Sequence, residues 1–201
     1  MIGRFACAAL LCASLIGCAS TPARFYTLSS SLPLGAQARQ IAVVVGPVSI
    51  PAQVDRPQMV IAEGPNQVRL EENNRWASPL GDAIASVVAE NLAALLGTPR
   101  VTLLPDRTAG DSAYSVTIEV QQFESALGSA ATLGAVWTVR RAEDGRTETG
   151  RTRVREPVSG SGYADLAAAH SLALASMSRD IADTLEALSR GDKGKARSTP
   201  L

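Results

Sequence analysis

The chain has 201 residues, with 19 Lys+Arg against 19 Asp+Glu, one His and three Cys. That length suits one domain plus short extras, and zero net charge removes the long-range field that a nucleic-acid binder uses. Aromatic residues make up 4% of the chain, too few for platforms on which bases or sugars stack.

Residues 1–17, MIGRFACAALLCASLIG, carry one charge, Arg4, followed by an apolar run from Phe5 to Ile16. Twelve apolar residues are too short to span a bilayer, which needs about 20, but they suit the h-region of a secretory signal. The run ends in Leu15-Ile16-Gly17-Cys18, which resembles the lipobox of bacterial lipoproteins. That resemblance implies cleavage before Cys18 and acylation of its thiol and new amine, with Ala19 permitting export to the outer membrane. Cys7 and Cys12 would leave with the signal, so no free thiol, disulfide or Cys metal ligand is expected in the mature chain. Removing Arg4 leaves 18 basic and 19 acidic residues, a net charge of −1. Residues 18–23 form a short tether before a domain spanning 24–189. Six Cα steps from Cys18 to Arg24 reach at most about 20 Å.

Arg24–Leu28 reads as a first strand, residues 29–40 as a polar loop, and Ile41–Ile50 as a strand buried on both faces, with a bulge or stop at Pro47. A Pro-bounded loop, PAQVDRP, occupies 51–57. Gln58–Ala62 and Gln67–Glu72 flank Gly64-Pro65-Asn66 as a hairpin, and Asn73–Pro79 reads as a connector. Pro79–Leu96 is predicted to be a helix with Ser78 as N-cap and Gly97 as C-cap. Its apolar face, Leu80, Ile84, Val87, Val88, Leu92, Leu95 and Leu96, also contains Asn91. Val101–Leu104 is a short strand, and alternation predicts further strands at Tyr114–Gln121 and Leu133–Val139. The latter turns at Asp144-Gly145 into Arg146–Val158. Tyr163–Leu188 is a long amphipathic helix, and the polar residues 190–201 read as a disordered tail. The order of elements points to an α+β fold, a mixed sheet with two helices packed on one face, with an α/β sandwich as the alternative.

Chemistry-bearing groups are sparse. His170 lies beside the apolar stripe of the last helix, and Ser159 or Ser161 could pair with it, but Val158-Ser159-Gly160-Ser161-Gly162 is not a nucleophile elbow. Glu71 and Glu72 adjoin on a strand and so point to opposite faces. Asp106 and Asp111 lie in a loop with Arg107. No metal-ligand spacing occurs. Arg151, Arg153 and Arg155 share a strand face, suited to lipid headgroups, to an acidic partner or to blocking edge-to-edge association.

Several segments together resemble a known family. They are Arg24-Phe25-Tyr26-Thr27-Leu28, Gly46-Pro47-Val48-Ser49-Ile50-Pro51, Val54-Asp55-Arg56-Pro57-Gln58-Met59-Val60, Asn66-x-Val68, Glu72-x-x-Arg75-Trp76-Ala77-x-Pro79-Leu80, Asn91-Leu92 and Leu96-Gly97. The pattern is similar to the PqiC/YmbA-type lipoproteins, the ABC-type transport auxiliary lipoproteins. It departs at Gln53, where an aromatic is common, and at Ser78, where an acid is common. The resemblance implies a non-enzymatic, cofactor-free subunit of an intermembrane lipid-transport system that supports membrane integrity. Such a subunit is anchored by lipid on Cys18 at the periplasmic face of the outer membrane. Its implied partners are an MCE-domain protein of the PqiB type and the inner-membrane component of that system, with homo-oligomeric assembly and no nucleic acid. Asp55, Arg56, Pro57 and Gln58 are the candidate partner contacts, and Arg75 and Trp76 are expected to be structural. Two rival readings are an envelope-stability lipoprotein that binds peptidoglycan or another envelope protein, and a periplasmic esterase built on His170.

Overall fold

The computed structural model describes residues 21–33, 41–105 and 112–196. The signal segment, Cys18, Ala19, Asp106, Arg107, Asp111 and the last five residues lie outside the described residues. The elements in chain order are β1 (Arg24–Tyr26), β2 (Val43–Ser49), β3 (Gln58–Gly64), β4 (Gln67–Trp76), α1 (Leu80–Leu96), β5 (Val101–Leu103), β6 (Tyr114–Ala126), β7 (Ala130–Arg141), β8 (Thr147–Pro157) and α2 (Tyr163–Ala196). The fold is α+β, as expected: a curled, mixed eight-stranded sheet with both helices on one face.

The long strand β6 organises the sheet. On one edge it pairs antiparallel with β7 along its whole length, from Tyr114↔Arg141 to Ala126↔Ala130. Its other edge is shared. β2 runs parallel to the first half as far as Ser49↔Glu119, and β3 meets the second half at Ile61↔Ser125. β4 and then β1 extend the β3 side, β5 extends β2, and β8 extends β7. Val43, Val44 and Val45 are all buried, so the triple-Val run is covered on both faces. The β2 register breaks between Val45 and Val48. Gly46 sits there at φ 121°, a backbone conformation that favours glycine.

Several elements differ from expectation: β1 stops at Tyr26, β6 runs on to Ala126 and β7 begins at Ala130. β4 runs on through Asn73 and Asn74 to Trp76 instead of stopping at Glu72, because β1 pairs in parallel with Asn74, Arg75 and Trp76. The polar side chains there bond to one another: Tyr26 Oη donates to Asn74 Oδ1 at 3.0 Å, and Asn74 Nδ2 donates to Glu71 Oε2 at 3.0 Å. α1 is capped by Pro79 and no side chain, so Ser78 is not its N-cap. Gly97 does close it, in the left-handed conformation, with backbone bonds to Ala93 and Ala94. α2 continues past Leu188 to Ala196.

The apolar core lies between the sheet and the helices and includes Ile84, Val88, Leu92, Val116, Ile118, Leu133, Leu174, Met177 and Ile181. A polar seam crosses it. Asn91 Nδ2 donates to Ser178 Oγ at 3.2 Å, and Ser30 Oγ donates to Asn91 Oδ1 at 2.7 Å. Ser29 N–H donates to Ser171 Oγ at 3.2 Å. The segment after β1 is thereby tied to both helices by part-buried hydrogen bonds. The start of the domain is therefore fixed to its core.

Candidate functional site

The loop before β3 is rigid for backbone reasons. Val54 N–H bonds to Pro51 O at 3.0 Å, Arg56 N–H to Val54 O at 2.9 Å, and Trp76 N–H to Pro57 O at 2.8 Å. The Val54 side chain is buried beneath it. Asp55, Arg56 and Pro57 are exposed and Gln58 is half-buried. Among the described residues Asp55 and Arg56 form no ion pair with each other or with any other group, although they adjoin. Gln58 Nε2 donates to Glu72 Oε2 at 3.3 Å. Arg75 Nε donates to Glu72 O at 2.7 Å.

This loop forms one wall of a groove of about 450 Å³, lined by Phe25, Asp55, Arg56, Pro57 and the segment Trp76–Leu80. Most of its lining is apolar. Phe25, on the opposite wall, is 64% exposed, more than any other large apolar residue described. β1 is an edge strand; Tyr26 turns its ring toward Tyr163 of α2, so Phe25 projects from the opposite face. The sequence reading quotes Phe25 as part of a strand but misses it as a surface feature. An aromatic at the middle of a short strand beginning the domain is the signal that could have marked it.

Beneath the groove, Trp76 packs edge-on against Phe123 (centroids 6.1 Å apart) and His170 (6.2 Å). Phe123 and His170 stack at 3.9 Å. His170 is fully buried and its Nε2 lies 2.8 Å from Ser125 Oγ. Its serine partner is therefore Ser125, not Ser159 or Ser161. Nδ1 has no hydrogen-bond partner, so no acid orients the ring. A lone pair is cheaper to leave unpaired than an N–H, which favours the neutral tautomer with Nε2–H donating to Ser125. Burial pushes the His170 pKa down to about 3. The unfolded chain therefore binds a proton between pH 6.5 and about 3 that the folded chain refuses, so stability falls as pH falls. The slope expected from this one group is about 1.4 kcal/mol per pH unit within that window. Melting curves at pH 7, 5 and 4 should show it, and His170→Gln should flatten it. An unchanged slope in that variant would contradict the assignment.

Among the described residues no group of three or more His, Cys, Asp or Glu could hold a metal ion. Likewise, no helix among them is long and apolar enough to cross a membrane.

The profile of the ABC-type transport auxiliary lipoprotein component family matches residues 26–182. The chain belongs to that family. Its fold is shared by two crystal structures. One is an uncharacterised protein, 20% identical, with TM-score 0.64, covering 81% of this chain and 99% of its own. The other is a protein of Xanthomonas campestris, 19% identical, with TM-score 0.68, covering 85% and 99%. Among curated proteins none matches the chain. In this auxiliary lipoprotein the arginines of β8 do share one face: Arg151, Arg153 and Arg155 are exposed and alternate with the buried Thr152 and half-buried Val154. Arg155 reaches Ser129 Oγ at 3.2 Å, while Arg151 and Arg153 have no ion-pair partner among the described residues.

Proposed function

We propose that this auxiliary lipoprotein is acylated on Cys18, is routed to the outer membrane with Ala19 permitting export, and faces the periplasm. There it docks the far end of an intermembrane lipid conduit formed by an MCE-domain protein of the PqiB type and its inner-membrane component. Several copies assemble as a homo-oligomeric collar. Support comes from family membership, from the lipobox at residues 15–18 and from the shape of the loop before β3. The observation that carries the docking surface is the pair Asp55 and Arg56, exposed and without an ion-pair partner among the described residues, on a backbone held by three hydrogen bonds. A rigid loop loses little freedom on binding, and two opposite charges free of each other specify a partner's charge pattern.

The test is binding to an MCE-domain protein of the PqiB type. Asp55→Ala/Arg56→Ala should weaken it by about tenfold or more, as expected when a charged contact is removed from an interface. The melting temperature should stay within about 2 °C of the parent, because neither side chain is buried. Unchanged affinity, or a large fall in melting temperature, would overturn the docking assignment.

A further inference from the structure

The groove beside the loop has a second wall whose character differs. Phe25 is 64% exposed and faces Pro57, Trp76, Ala77, Pro79 and Leu80 across about 450 Å³ of space. The loop wall carries one carboxylate and one guanidinium, Asp55 and Arg56, both exposed. An open aromatic ring beside a mostly apolar groove has the composition of a surface that sits at a lipid–water boundary. The position in the chain adds a distance. Phe25 follows Cys18 by seven residues, which span at most about 25 Å when extended. The headgroup layer is itself some 5–8 Å deep on each side of the bilayer. A domain held this closely has few orientations available. β1 is held to the body by its parallel pairing with Asn74, Arg75 and Trp76 and by the bond from Ala77 N–H to Tyr26 O, so the tether lengthens only if that pairing is broken.

We propose that the Phe25 wall of this groove rests on the membrane that holds the anchor. The Phe25 ring lies in the boundary between headgroups and acyl chains. The occupant of the groove is the phospholipid bilayer surface. The proposal rests on acylation at Cys18, and it gives the domain a defined face toward the membrane. The Asp55 and Arg56 loop is thereby placed at the level where a conduit would end.

Phe25→Trp tests it. The acylated variant and the parent are reconstituted in vesicles of phosphatidylethanolamine and phosphatidylglycerol, 3:1, with or without brominated acyl chains. The added Trp emission should be blue-shifted and lose at least about half its intensity in brominated vesicles, while the emission of Trp76 and Trp137, both buried in the protein, changes little. In parallel, the acyl-free protein starting at Ala19 should partition onto the same vesicles about tenfold less when it carries Phe25→Ser, the factor that corresponds to one large apolar side chain. An acylated, vesicle-bound protein with unquenched, water-exposed emission at position 25 overturns the membrane face and leaves the anchor intact. Emission that shifts blue only when the MCE-domain protein is added overturns it too, and makes the groove a protein socket. A chain that carries no acyl group and does not stay on vesicles overturns the anchor and the proposal together.

Discussion

Gly150→Ala is expected to lower stability by about 3 kcal/mol and the melting temperature by about 10 °C. Gly150 on β8 lies directly opposite Trp137 on β7, and the indole covers the space where a side chain would be. A Cβ built there falls closer than 3.0 Å to three ring atoms of Trp137. The ring has little room to move. Trp137 is 6% exposed, and its Nε1–H donates to Thr152 Oγ1 at 3.1 Å, whose hydroxyl in turn donates to Asp180 of α2. Shifting the indole would break the link between strand and helix or push β8 away from β7. Trp137→Phe alone removes the ring atoms that collide, at the cost of the hydrogen bond and some packing. The double variant Gly150→Ala/Trp137→Phe should therefore be less destabilised than the sum of the two single changes. Urea unfolding of all four chains measures that coupling. Additive losses would mean that the strain lies elsewhere.

This pair also shows where sequence reading stops. Alternation on β6, β7 and β8 was legible because a half-buried strand writes its two faces as period two. The register that sets Gly150 against Trp137 is not written locally, since it depends on a hairpin turn and on every pairing before it. The turn joining β6 to β7 carries Gly128 at φ 67° within Leu127-Gly128-Ser129, without the Asn-Gly or Asp-Gly pair that announced the next hairpin at Asp144-Gly145. Asn91 was visible as a polar residue on an apolar helix face, but its partners Ser178 and Ser30 lie 87 and 61 positions away. β4 was read too short for a related reason. Asn73-Asn74-Arg75 has no strand composition, and what makes it a strand is the parallel pairing of β1, a contact across 50 residues. At the candidate site, the Pro-bounded loop and its charges could be found by composition. The lack of an ion-pair partner for Asp55 and Arg56 among the described residues, and the openness of Phe25, arise from three-dimensional neighbours that no spacing rule contains.

Cys18→Ala should remove the acyl chains, and with them nearly all retention at the membrane. Made behind a plain secretory signal, so that the leader is still cut, the variant should incorporate no palmitate and move to the soluble fraction after a high-salt wash. Labelling that persisted would sink the lipobox reading. The size of the effect follows from chain arithmetic. A buried methylene contributes about 0.8 kcal/mol, a single acyl chain gives only reversible binding, and two make it stable. No apolar side chain of the domain approaches that. A Phe25 wall resting on the bilayer would leave a residual, weak association, removed by Phe25→Ser. The same variant separates anchoring from docking. In solution its affinity for the MCE-domain protein should match the parent's, because Asp55 and Arg56 are untouched. In the cell its contribution to transport should fall further than that of Asp55→Ala/Arg56→Ala. A tethered domain meets its partner at an effective concentration in the millimolar range, and a chain with 18 basic and 19 acidic residues has almost no net charge to guide it back once released. Confinement at the membrane would thus supply what electrostatic steering does not.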